Sequence, residues 1–308
     1  MTARPGSNPL GALPARFRRE RVLIIGCGDV GLRVARLLVA ATRVRALTHS
    51  INQVSTLRQV GITALVGDLD DASSLRRLAS LATRVVHLAP PPAGGPGDPR
   101  TRALLRVLSH GSAPASLVYG STSGVYGDCG GSVTTELRAV SAGTARAKRR
   151  IDAENAVVGY SRTRAVPCSI LRIPGIYAAN REGGTPRERL LRGTPVLQAS
   201  DDVYTNHIHA DDLARACVRA LWQAPHGRKY NINDDTCLKM GDYFDFAADL
   251  YQLPRPPRVS REVARQTLPA MQLSFMGESR RLDNRRMKTE LRLSLKYPTV
   301  AQGLATAL

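Results

Sequence analysis

The sequence predicts an α/β protein: a doubly wound parallel sheet with a smaller C-terminal lobe. Three observations carry that prediction. After Arg21, the apolar run Val22-Leu23-Ile24-Ile25 breaks into glycines spaced G-x-G-x-x-G at Gly26, Gly28 and Gly31. Strand-like segments then alternate with helical patterns as far as residue 120, the rhythm of a parallel sheet covered on both faces. Finally, 308 residues suffice for one large domain plus a further lobe.

Taken in order, the first strand is followed by the helical spacing Val30, Val34, Leu37 and Leu38. Gly26 allows the tight turn, Gly28 lets a phosphate approach the backbone, and Gly31 lets helix pack on strand. The helix N-terminus offers free N–H groups to an anion, with Asp29 and Val30 in its first turn. Further strands are expected over 43–47, 62–66, 84–89 and 116–120, with helical segments from 51 to about 60, 72–81 and 100–109. Ligand binding is expected at the carboxyl ends of the strands, where the strand order reverses.

The second half is less regular. A helix over about 141–159 precedes a strand at 168–172, which Pro174 and Gly175 end. The expected division is a basic, disordered leader over 1–19, a dinucleotide-binding domain over 20–175 rejoined by 205–235, and a substrate lobe from 176–204 and 236–308.

Composition narrows the function. The formal charge of +19 invites a nucleic-acid reading, but only five of the 44 basic residues are lysines. Arginine spread along the whole chain reads as compositional bias, and the cluster at 146–150 lacks aromatic residues beside it for base stacking. Nucleic acid is therefore not an expected partner. The five cysteines form no C-x-x-C pair, which argues against a disulfide framework or a zinc site and suits a reducing cytoplasm. No apolar run is long enough for a membrane span. No metal is expected.

Several landmarks together resemble the extended short-chain dehydrogenase/reductase superfamily, its NAD-dependent epimerase/dehydratase branch, and most of all the atypical YeeZ-like proteins. They are the glycine loop, Gly67-Asp68-Leu69, the segment Ser121 to Asp128, Leu171 to Tyr177, Asn206 to Ala214, and Tyr230 to Asn233. The resemblance implies a Rossmann-type fold and a nicotinamide dinucleotide cofactor. It places the adenine on Asp68 and Leu69, the nicotinamide ribose on Leu88, Ala89 and Pro90, and the nicotinamide against Pro174. At the end of the second strand stand Thr48, His49 and Ser50, with no carboxylate to repel a 2′-phosphate. NADP(H) is thus slightly favoured over NAD(H).

The resemblance also implies a tyrosine acidified by a lysine four residues later, but no Y-x-x-x-K occurs in this chain. Alignment on Glu154 puts Arg146 and Arg150 at those two positions, and a two-residue shift gives Thr144 and Lys148. Neither frame supplies a phenol. Arg150 remains able to hold the cofactor ribose or a phosphate. Thr122 matches the hydroxyl that polarises the substrate oxygen, and Tyr126 is the candidate proton donor. His209 has a suitable intrinsic pKa, but it reads as a structural residue at a helix start.

The expected function is NAD(P)-dependent oxidation, reduction or epimerisation at a carbonyl or hydroxyl of a small sugar-like or nucleotide-linked substrate, a nucleotide-sugar among the candidates, by a monomer or homodimer. The alternative is a non-catalytic NAD(P)-binding sensor or partner-binding module.

Overall fold

A computed structural model of the protein describes residues 20–307; the leader expected over residues 1–19 lies outside them. The central sheet contains β1 (Arg21–Ile25), β2 (Arg43–Thr48), β3 (Thr63–Val66), β4 (Arg84–His87), β5 (Ser116–Thr122) and β6 (Cys168–Ile173). Two short strands follow, β7 (Gly175–Tyr177) and β8 (His207–His209), before β9 (Lys229–Asn231) completes the sheet. The spatial order is β9-β6-β5-β4-β1-β2-β3, and every neighbouring pair is parallel. The chain winds outward from β1 in one direction and resumes at β4 in the other, so the reversal lies between β1 and β4.

Alternate residues of each strand feed two cores, as the period of two requires. Val22, Ile24, Val86 and Val118 face one layer with Val34, Leu38, Leu213 and Cys217. Leu23, Ile25, Val85 and Leu117 face the other with Leu104, Leu108, Ala153 and Val157. The first layer is built by α1 (Asp29–Leu38) and, later in the chain, α5 (Ala210–Gln223); the second by α3 (Pro99–Leu108) and α4 (Ala145–Arg164). In α1 the buried positions Gly31, Val34, Ala35 and Leu38 fall on one helical stripe. The helix α2 (Gln53–Gln59) carries the chain from β2 to β3.

Three local expectations shift. The segment after β3 is a 3-10 helix over Ala72–Leu78, where Asp71 and Ser74 bond to nearby backbone and side chains and compete with α-helical geometry. Strand β4 stops at His87, because the N–H groups of Leu88 and Ala89 both turn to the carbonyl of Ile25. Helix α4 begins only after Thr144, whose hydroxyl caps the N–H of Ala147.

A third cluster gathers Tyr177, Leu190, Val196 and Leu197 with Tyr243, Phe244 and Ala247 of α6 (Met240–Tyr251). Not all of 236–308 packs there. Met287, Leu291 and Leu293 join the sheet layer of α1 and α5 instead. The reason is the open edge of β9, which this segment covers. Glu136 accepts the N–H of Asn231 at 2.9 Å, and Arg286, 3.7 Å from Glu136, donates to the carbonyl of Lys229.

Candidate functional site

The glycine loop is shaped by its contacts. Gly26 has φ +87°, and a Cβ there would lie 2.4 Å from the backbone nitrogen of Ala89. A Cβ on Gly31 would lie 2.6 Å from the carbonyl oxygen of Gly26. These two glycines press the loop onto the end of β4 and the helix onto the loop. At Gly28 a Cβ would meet nothing within 4 Å, and this residue caps α1 without any side-chain hydrogen bond. An uncapped helix N-terminus beside open space fits a diphosphate.

The other predicted cofactor residues stand along the same carboxyl edge of the sheet. His49 and Ser50 follow β2, and Asp68 and Leu69 follow β3, which pairs with it as far as Thr48↔Val66. Asp68 is exposed, its carboxylate accepting the N–H of Asp70 at 2.9 Å. Arg45 points elsewhere, donating to the carbonyl of Leu81. Half-buried Leu88 and exposed Pro90 flank the buried Ala89 after β4. Arg150 reaches the exit of β5, donating to Gly120 O at 2.7 Å and Tyr119 Oη at 3.0 Å. Asp29 turns its carboxylate to Arg33 at 3.1 Å and Arg181 at 2.6 Å, which leaves its backbone N–H in the helix first turn.

Beyond this edge lies a cavity of about 720 Å³ between the sheet and the third cluster. Thr122, Pro174 and Arg146 line it, as do Tyr204, His207 and Phe275. Thr122 Oγ1 accepts the N–H of Gly124 at 3.2 Å, and its hydrogen is free to donate. Of the two frames for the missing pair, Arg146 faces the cavity and Arg150 the strand exit, whereas Lys148 is exposed and lines no part of it.

Tyr126 is not placed for proton donation. Its ring is 1% exposed beneath the Arg172 guanidinium, and its hydroxyl donates to Asn231 Oδ1 at 2.7 Å. Ser121 is likewise committed, donating to Glu154 at 2.7 Å. His209 is buried against Tyr177 and Tyr297, and its Nδ1 accepts the N–H of Asp211 at the start of α5.

Sequence reasoning missed His207. It stacks on Tyr243 at 4.2 Å, and β8 pairs it with Gly175, one residue past Pro174. Its Nδ1 is sealed without a hydrogen-bond partner, so Nε2 is the nitrogen it can offer to the cavity. Burial pushes its pKa down to about 4, so the ring is neutral near pH 7. The available signal was its period-two relation to His209 on one short strand.

Asp234 lies behind this wall, with Oδ1 accepting the N–H of Thr236 at 3.0 Å and Oδ2 buried without a partner. Burial pushes its carboxyl up from 3.8 to about 7. Between those values the folded chain keeps a proton that the unfolded chain has lost, so stability falls as pH rises and levels off above about 7. His207 acts oppositely, its contribution being lost as pH falls from about 6.5 to about 4. Asp234→Asn should therefore gain in melting temperature over the parent as pH rises from 4 to 7. Thermal unfolding at pH 4.5, 6 and 8 checks this; a gap that does not change with pH contradicts it.

Fold and site together define an α/β protein of Rossmann type whose cavity adjoins the strand exits. The family model described as "NAD dependent epimerase/dehydratase family" matches residues 22–233. The chain belongs to that family. Among solved structures, a functionally unknown conserved protein from Silicibacter pomeroyi is 26% identical, with 94% of this chain and 98% of that one covered at a TM-score of 0.79. A UDP-glucose 4-epimerase from Thermotoga maritima, solved with UDP-glucose, is 18% identical over 93% and 97% of the two chains, with a TM-score of 0.76. A UDP-glucuronic acid 4-epimerase from Bacillus cereus, solved in complex with NAD, is 18% identical over 92% and 96%, with a TM-score of 0.74. No curated protein matches the chain. Among the described residues no helix is long and apolar enough to cross a membrane, and no cluster of side chains is arranged to hold a metal.

Proposed function

We propose that the protein is an NAD(P)-dependent oxidoreductase or epimerase acting on a carbonyl or hydroxyl group of a sugar-like, nucleotide-linked substrate. The observation that carries this reading is the cavity at the strand exits, which the Thr122 hydroxyl and Pro174 line and whose Arg181 reaches Asp29 of the glycine loop at 2.6 Å. The cofactor supplies or accepts hydride. The chain binds the diphosphate at the uncapped start of α1 and holds the adenine with Asp68 and Leu69 and the nicotinamide side with Leu88 to Pro90 and Pro174. Arg150 anchors a cofactor hydroxyl or phosphate from the strand exit. His49 and Ser50 favour NADP(H) slightly, since neither repels a 2′-phosphate.

Thr122 donates a hydrogen bond to the substrate oxygen and polarises it. His207, a neutral imidazole on the same cavity, takes the place that Tyr126 does not fill and exchanges the proton. The segments around the third cluster form the substrate lobe. The working state is a cytoplasmic monomer or homodimer.

The test is NAD(P)H binding by fluorescence, followed by turnover with a panel of nucleotide-sugars and simple carbonyl compounds. Thr122→Ala should lower kcat about 100-fold and leave the cofactor Kd unchanged. The burial of Tyr126 favours a second reading, a cofactor-binding sensor without turnover. Tight cofactor binding with no turnover on any panel would select it.

A further inference from the structure

Two of the cavity's cations have no ion pair. Arg280, on its wall, is paired with Glu278 at 2.7 Å, and Arg181 with Asp29 at 2.6 Å. Arg146 and Arg189 differ: among the described residues neither has a carboxylate within ion-pair distance. Arg146 lies over the Phe275 ring at 5.9 Å, and Arg189 over Phe244 at 4.3 Å. The cavity's one carboxylate, Glu278, is bonded to Arg280 and reaches Arg146 only as a longer-range attraction.

The two are not equivalent. Two nitrogens of Arg189, Nε and Nη2, are sealed from water without partners, so it adds positive potential more than a gripping edge. Arg146 is exposed toward the cavity and makes no hydrogen bond that would occupy its fork. It is also next to the reactive end. A Cβ on Gly124 would lie 3.6 Å from Thr122 Oγ1 and 3.9 Å from the Cβ of Ala147, which places the first turn of α4 on the Thr122 wall. A guanidinium stays charged near neutral pH and grips planar anions with two parallel hydrogen bonds.

We infer that the cavity selects an acidic substrate, with Arg146 holding a carboxylate or phosphate group beside the carbon that exchanges hydride. The inference rests on the reading that this carbon lies at Thr122. A neutral substrate in the same position leaves the guanidinium without an acceptor, while an acidic one supplies it. Charge-assisted bonds of this kind discriminate by about tenfold to hundredfold.

The experiment titrates the protein, saturated with NAD(P)⁺, in two arms. One compares UDP-glucuronate with UDP-glucose, for a carboxylate; the other compares glucose 6-phosphate with glucose, for a phosphate. In at least one arm the acid should bind at least tenfold more tightly. Arg146→Gln should reduce that preference to twofold or less, and Arg146→Lys should keep part of it. Equal affinities in both arms, no measurable binding of either acid, or a preference that survives Arg146→Gln overturns the inference. NAD(P)H fluorescence separates this from the broader reading. A protein that binds the cofactor without preferring acids loses only the acidic substrate, whereas one that does not bind it loses the proposed function.

Discussion

Glu154→Gln should destabilise the protein by about 3–5 kcal/mol, the scale for removing one partner of a buried ion pair. Glu154 and Arg172 are respectively 2% and 1% exposed, joined at 2.7 Å and 3.1 Å. Ser121 donates to the same carboxylate, and Lys229 stands 3.8 Å away. The glutamine amide would turn N–H groups toward a cation and leave the Arg172 charge buried and uncompensated. Urea denaturation measures the loss, and a change below about 1 kcal/mol contradicts this account of the pair. Replacing both partners, Glu154→Leu with Arg172→Met, should recover most of it, because the desolvation of two charges disappears together.

The second large effect separates two glycines. Gly26→Val places a branched side chain at φ +87° and within 2.4 Å of backbone that cannot yield, so fold and cofactor site should fail together. Gly28 has φ −77° and open space around it. Gly28→Val should leave the melting temperature within a few degrees and weaken NAD(P)H binding at least tenfold, because the new methyl groups occupy the diphosphate's place. Thermal unfolding and fluorescence titration of both variants read this contrast. Unimpaired binding by Gly28→Val would remove the cofactor from that position.

The glycine loop was legible because its requirements are local: a positive φ, a close approach and a helix start lie within six residues. The strand rhythm was equally legible, since central strands covered on both faces read as continuous apolar runs such as Val22 to Ile25. Tyr126 misled because its sequence neighbourhood matches a substrate loop. Its burial depends on Arg172 and Asn231, 46 and 105 residues away. Arg189 was invisible for the same reason, and His207 showed only its period-two relation to His209. Nothing next to either in sequence signals a cavity that forms only when β7, β8 and α6 meet. The return of Met287 to Leu293 to the sheet was likewise hidden, because its helical spacing does not say which core it fills.

The Glu136–Arg286 pair has a consequence for how the molecule behaves in a crowded solution. A sheet margin with vacant amide and carbonyl groups can template an incoming strand from another molecule and so seed fibrils. Along β9 an acid takes the Asn231 amide and a base takes the Lys229 carbonyl, so a foreign strand would have to strip two charged groups before it could dock.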